Sequence, residues 1–161
     1  MSIQALSREQ EASATQILQM LLTECEAVAL AICDTGGTVL ARASAQPDLP
    51  IENAAALAAG SFAATRELAG LIGEASFSSI FHRGKNSGIL ITSLGGEFIL
   101  LVVFGRNTTE GLVRLYLQKI GKRLQTILAG TKHQTVQSAE AAIAFNVQEK
   151  EIGDDPPPSE P

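Results

Sequence analysis

Phe98 to Phe104 is seven consecutive apolar residues, and nothing else in the chain constrains the fold as tightly. Strand side chains alternate between the two faces of a sheet, so a strand apolar at every position needs cover on both sides. The run Val28 to Ile32 makes the same demand. Together they predict a sheet with helices packed on both faces. The connections are short. Asp34-Thr35-Gly36-Gly37, Gly84-Lys85-Asn86-Ser87-Gly88 and Gly95-Gly96 carry turn residues suited to antiparallel hairpins.

The remaining segments supply the helices. Residues 7–24 place Ala14, Ile17, Leu18, Leu21 and Leu22 at helical spacing behind a Ser7 N-cap. Val28–Cys33 and Thr38–Ser44 form a hairpin, and Ala45–Pro50 is a loop with two prolines. A long helix runs from Ile51 to Ile72 with Gly73 as its stop. Strands follow at Phe77–Arg83, Ile89–Leu94 and Phe98–Phe104. Asn107-Thr108-Thr109-Glu110 reads as a capping box with Asn107 as the cap, opening a last helix that ends at Gly130. The order α-β-β-α-β-β-β-α is that of an α+β domain, assigned to residues 1–130. Residues 131–161 form an extension in which Thr135–Lys150 is a weak amphipathic helix. Its acidic, proline-rich end, GDDPPPSEP, is expected to be disordered.

The long helix is unusual in its charge pattern. From Asn53 to Thr65 it has thirteen residues without a charge. A surface helix keeps one apolar stripe and a charged opposite face, whereas this one has two stripes. Leu57, Ser61, Ala64, Leu68 and Leu71 make the first. Ala56, Ala59, Gly60 and Ala63 make a second of small residues, with Phe62 between them. One sheet covers one stripe, so the remainder is expected to bury itself against another chain. The small stripe either admits a second helix or packs on the domain's own sheet. The first charges after the neutral run, Arg66 and Glu67, are placed at the rim of such an interface.

The stretch Ala27 to Leu128 resembles the roadblock/dynein-light-chain family. The resemblance rests on the turn Ala-Ile-Cys-Asp-Thr-Gly-Gly, the run Asn53-Ala-Ala-Ala-Leu-Ala-Ala-Gly, and Leu68-Ala69 before Gly73. It continues through Arg83-Gly84, Gly88-Ile89-Leu90-Ile91, the strand Glu97 to Val103, and Gly111-Leu112-Val113-Arg114. The Pro-Gly often found before the first strand is replaced by Cys25-Glu26-Ala27. The resemblance implies a five-stranded antiparallel sheet between one long helix and a pair of helices. It also implies a homodimer that sets two long helices side by side and pairs the strand after the long helix with its copy. That puts Ala56, Ala59, Gly60, Phe62, Ala63, Arg66, Glu67, Phe77, Ser79, Phe81, His82 and Arg83 at the dimer or partner interface. Bacterial members of the family are partners of Ras-like small GTPases, so the implied function is a non-catalytic regulator or scaffold for such a GTPase. A small-molecule sensor using Thr92, Ser93 or Tyr116, and a structural adaptor indifferent to nucleotide state, are the alternatives.

Several functions find no support in the residues. The net charge of −5 lies in the tail: residues 1–139 hold eleven acidic and eleven basic side chains, and from Glu140 six acids face Lys150 alone. A neutral domain lacks the basic footprint of nucleic-acid binding. The two histidines, His82 and His133, have no Cys or Asp partner at a catalytic spacing, and no HExxH or CxxC is present. No catalytic, metal or cofactor residue is therefore assigned. Gly84-Lys85-Asn86-Ser87-Gly88 joins two strands, whereas a phosphate loop leads into a helix. His82, Arg83 and Lys85 make a small basic cluster, with Arg66 and Arg83 the arginines to test for a role in GTP hydrolysis. Cys25 and Cys33 are expected to be buried and reduced. No apolar run reaches membrane-spanning length and the start lacks a signal peptide's apolar segment, so a cytoplasmic location without membrane insertion is expected.

Overall fold

The fold is built outward from the strand that is apolar at every position. In the computed structural model, which describes residues 3–130 and 133–134, that strand is the middle of a five-stranded antiparallel sheet. The elements of the domain are α1 (Arg8–Glu24), β2 (Ala27–Asp34), β3 (Val39–Ser44), α2 (Ile51–Leu71), β4 (Ser79–Arg83), β5 (Gly88–Gly95), β6 (Phe98–Phe104) and α3 (Glu110–Ala129). The strand order is β3-β2-β6-β5-β4, so β6 is central and β3 and β4 are the edges. Ile3–Gln4 (β1) and His133–Gln134 (β7) make a separate antiparallel pair, with Ile3 opposite Gln134. That pair belongs to a unit distinct from the one that holds the domain's other elements. The helix expected at Thr135–Lys150 and the proline-rich end lie outside the described residues.

Each face of the sheet has its own core. Leu30, Ile32, Leu90, Leu100 and Val102 point to the side covered by α1 and α3, which contribute Ile17, Leu18, Leu21, Ile120 and Leu124. Ala29, Ala31, Cys33, Ile91, Ile99 and Leu101 point to the other side, under Ala55, Ala58, Ala59 and Phe62 of α2. The alternation along β6 sends Leu100 to one core and Leu101 to the other, as the unbroken apolar run demands. The expected α+β architecture, one long helix against a helix pair across five strands, is the one observed.

Local chemistry sets the helix ends. Ser7 accepts a hydrogen bond from the Gln10 amide (3.2 Å), and Gln10 Oε1 accepts from the Ser7 amide (2.9 Å), a complete capping box. The same Gln10 donates through Nε2 to the Ile127 carbonyl at 2.8 Å, tying the start of α1 to the last turns of α3. The expected cap of α3 is corrected. Thr109, not Asn107, is the N-cap, its hydroxyl accepting from the Leu112 amide at 3.3 Å. Thr108 is buried, so the chain leaving β6 stays packed on the domain through that residue and the helix begins only beyond it. The strand expected to start at Phe77 starts at Ser79. Phe77 instead turns onto Phe62, with ring centroids 5.1 Å apart.

Two glycines are required by close approach. Gly88 stands opposite Phe104 in the β5–β6 register, and a Cβ there would lie 2.5 Å from the Phe104 ring. Gly37, in the β2–β3 turn, has φ +88°, and a Cβ would sit 2.7 Å from the Cα of Ala56. Asp34 holds that turn, its Oδ1 accepting from the Thr38 amide at 2.9 Å. Gly37→Ala therefore meets both a disfavoured backbone region and the backbone of α2. It should cost about 2–4 kcal/mol, read as a lower urea midpoint with an unchanged slope.

Candidate interaction surface

The side of α2 turned away from the sheet is apolar and open. Leu57, Leu68 and Leu71 are 75%, 57% and 85% exposed, and Ile72 just beyond the helix is 77% exposed. Ala56, Gly60 and Ala64 lie exposed on the same side, and a Cβ at Gly60 would meet nothing within 4 Å. The spacing 57, 60, 64, 68, 71 is a single stripe down the helix. The reason lies in the sheet. Ile91, Ile99 and Leu101 already supply bulk on this face. The helix therefore turns its alanines and Phe62 inward and its leucines outward.

That geometry sorts the residues expected at an interface. Ala59 and Phe62 are buried in the domain's own core rather than on the exposed face of α2. Ala63 is half-buried, and Arg66 and Glu67 are exposed beside the leucine stripe. Ala56 is exposed but also forms the seat for the Gly37 turn, which gives a second reason for its size. On β4, Ser79, Phe77 before it and Phe81 are half-buried, while His82 and Arg83 are exposed. Ser79 Oγ accepts from Arg114 Nη1 at 3.3 Å, and Phe81 stacks on Phe104 at 5.9 Å on the α3 side of the sheet. Among the described residues, the outer edge of β4 carries no strand partner. Leu57, Leu68, Leu71 and Ile72 were not placed at the interface from sequence. Their signal was the first of the two stripes, whose outward orientation depends on the sheet's side-chain volumes.

The polar groups considered for a sensor are engaged locally. Tyr116 donates to Glu24 Oε2 at 3.3 Å, and Thr92 donates to the Ser78 carbonyl at 3.2 Å. Ser93 accepts from the Gly95 amide at 3.1 Å. Thr92 and Ser93 do line a cleft of about 230 Å³ between β5 and α3, with Arg114, Gln118 and Gln125. Both cysteines are free and buried. Burial, with the Asp34 charge beside it, pushes the Cys33 thiol from its ordinary 9.0 up to about 12. Burial and the neighbouring Glu24 push Cys25 up to about 11. Both thiols should resist alkylation at pH 8 until the protein unfolds. Raised thiol pKa values favour the protonated native state, so their effect on stability is flat below pH 9. Above it the unfolded chain ionises first, and stability should fall as pH rises toward the folded values. A urea series from pH 7 to 10.5 with mass-detected labelling checks both.

A comparison with family models matches residues 14–104 to the Roadblock/LC7 domain. The chain belongs to the Roadblock/LC7 domain family. Among solved structures, the domain is similar to the gliding protein MglB from Thermus thermophilus. That match has 30% identity and a TM-score of 0.74, covering 80% of this chain and 98% of that one. MglB from Myxococcus xanthus is also 30% identical, with a TM-score of 0.67 over 71% of this chain and 94% of that one. A structure described as MglB with tetrameric arrangement is 29% identical, at TM-score 0.74 over 80% of this chain and 97% of that one. No curated protein sequence matches the chain. The long helix α2 lies alone on its face of the sheet, and its outer side is not covered by the domain's other described elements. Among the described residues, no helix is long and apolar enough to cross a membrane.

Proposed function

We propose that the protein is a homodimeric, non-catalytic regulator of a Ras-like small GTPase. The observation that carries the dimer is the outer face of α2, where Leu57, Leu68, Leu71 and Ile72 stand in solvent on one side of a helix. Contiguous apolar surface of this kind marks an interaction site. A second copy fits because a twofold axis sets the same stripe against itself, and Gly60 and Ala64 in its centre let two helices approach closely. The open edge of β4 can continue the sheet across the same axis, which removes an unpaired edge. Ala56, Gly60, Ala63, Arg66 and Glu67 then line the contact, with Phe77, Ser79, His82 and Arg83 at its β4 end.

The GTPase reading rests on membership of the roadblock family and on the likeness to MglB structures. A regulator without catalytic groups acts by differential affinity: it shifts the GTPase toward the state it binds better, by no more than the ratio of the two affinities. A tenfold preference corresponds to about 1.4 kcal/mol. The test is a calorimetric titration of the purified protein into a Ras-like GTPase from the same genome, loaded with GDP or with a non-hydrolysable GTP analogue. The expected result is a preference of at least about tenfold for one state. Equal affinities would make the protein an adaptor, and no binding to either state would remove the GTPase from the account.

A further inference from the structure

A second surface feature lies apart from α2. The β4–β5 turn and the segment joining β6 to α3 enclose a cleft of about 240 Å³. Three cations line it, Arg83, Lys85 and Arg106, and no carboxylate does among the described residues. The ion pairs Arg42–Glu52 and Arg114–Glu110 involve none of the three. Each guanidinium group has a neighbour. Arg106 donates through Nη2 to Asn86 Oδ1 in the turn, and Arg83 lies 5.9 Å over the Phe81 ring. The nearest acid along the chain, Glu110, is engaged by Arg114 at 2.6 Å.

Thr108 makes this more than a basic surface. It lines the cleft, is only 8% exposed, and its Oγ1 has no hydrogen-bond partner among the described residues. Buried hydroxyls are nearly always satisfied, so an orphaned one on a residue that lines a cationic cleft calls for an acceptor supplied from outside. Thr109, the N-cap of α3, lines the same wall, and a helix start favours negative charge. Phe104 forms an apolar floor.

We propose that this cleft binds the dianionic phosphoryl group of a phosphomonoester. Two guanidinium groups, an ammonium and a hydroxyl donor match several oxygens carrying nearly two charges better than they match a carboxylate. The volume is below the roughly 300–1,000 Å³ of sites that enclose a drug-sized ligand, so the phosphoryl group enters and most of the attached group stays outside. The hairpin is not a phosphate loop, since Gly88 continues into β5 rather than a helix. The proposal stands independently of the GTPase reading, and Arg83 is the one lining residue it shares with the proposed dimer contact.

The test uses the full chain and amide chemical shifts, with inorganic phosphate as the probe and acetate at matched ionic strength as control. Phosphate should shift the Lys85, Ser87 and Thr108 amides saturably, with a dissociation constant of about 1 mM or below. Arg106→Gln should weaken binding at least about tenfold. Thr108→Val is the discriminating variant: it should weaken phosphate binding while leaving the melting temperature of the unliganded chain unchanged or higher, because it removes an unpaired buried hydroxyl. A hydroxyl with a purely structural role would instead lower the melting temperature. Glycerol 3-phosphate and vesicles carrying a phosphatidylinositol monophosphate distinguish a soluble ester from a lipid headgroup, and binding to either supports the proposal. Equal shifts with acetate, absence of saturation, or unchanged affinity in both variants would overturn it.

Discussion

Replacing Leu57 and Leu68 together by glutamate leaves the domain folded and abolishes its self-association. The two side chains are 75% and 57% exposed, so the substitution removes little from the domain's own core. The α2 core contacts run through Ala55, Ala58, Ala59 and Phe62, which are untouched. In the proposed dimer the same two positions meet their copies across a twofold axis, so four carboxylates would enter one apolar contact. Charges buried without partners cost several kcal/mol. The dimer dissociation constant should rise by at least about a hundredfold, a change of roughly 2.7 kcal/mol or more. Sedimentation velocity reads the association and circular dichroism the fold. Folded monomer is expected. Undiminished association would move the interface elsewhere, and Ala59→Glu serves as the contrast, because that position is in the core and its substitution should unfold the domain rather than separate two copies.

The largest loss of stability should come from the centre of the sheet. Leu100 is 0% exposed in β6, with β2 on one side and β5 on the other. Its side chain packs in the core shared with α1 and α3, and both neighbouring strands hold the backbone so that a truncated site cannot collapse. Leu100→Ala should cost about 3–5 kcal/mol, at the upper end for a buried leucine. Leu101→Ala, one residue on, opens the α2 core instead. There the partners include Ala29, Ala31, Ala55 and Ala58, and a single covering helix has room to shift. A smaller loss is expected, about 2–3 kcal/mol. Urea unfolding followed by far-UV dichroism compares the two. Equal losses would mean that the single helix is as rigidly seated as the pair.

Much of this architecture was legible because local rules and the hydrophobic period agree. The run from Phe98 to Phe104 required cover on both faces, and the glycine turns required antiparallel neighbours. The Ser7–Gln10 capping box needs only residues three apart, so α1 starts where its sequence says it should. The cap of α3 was harder to place, since Asn107 and Thr109 are both competent caps. The tertiary path out of β6 decides between them by burying Thr108.

What could not be read from the sequence is set by partners distant in the chain. Which stripe of α2 faces outward depends on Ile91, Ile99 and Leu101, which pack against the alanines and Phe62 of the helix rather than against its leucines. Phe62 looked like an interface residue because its inward partner Phe77 is fifteen positions away. The cleft needs Arg83 and Lys85 on one hairpin and Arg106 and Thr108 after the next strand. Gly88 looks like a turn residue until the Phe104 ring is seen over it.

The central claim is that the outer face of α2 is covered by a second copy of the chain. Light scattering coupled to size exclusion, run on the full chain at micromolar concentration, tests it most directly. The expected mass is twice 16.9 kDa, or an even multiple of it. A single species of 16.9 kDa across the accessible concentration range would contradict the account.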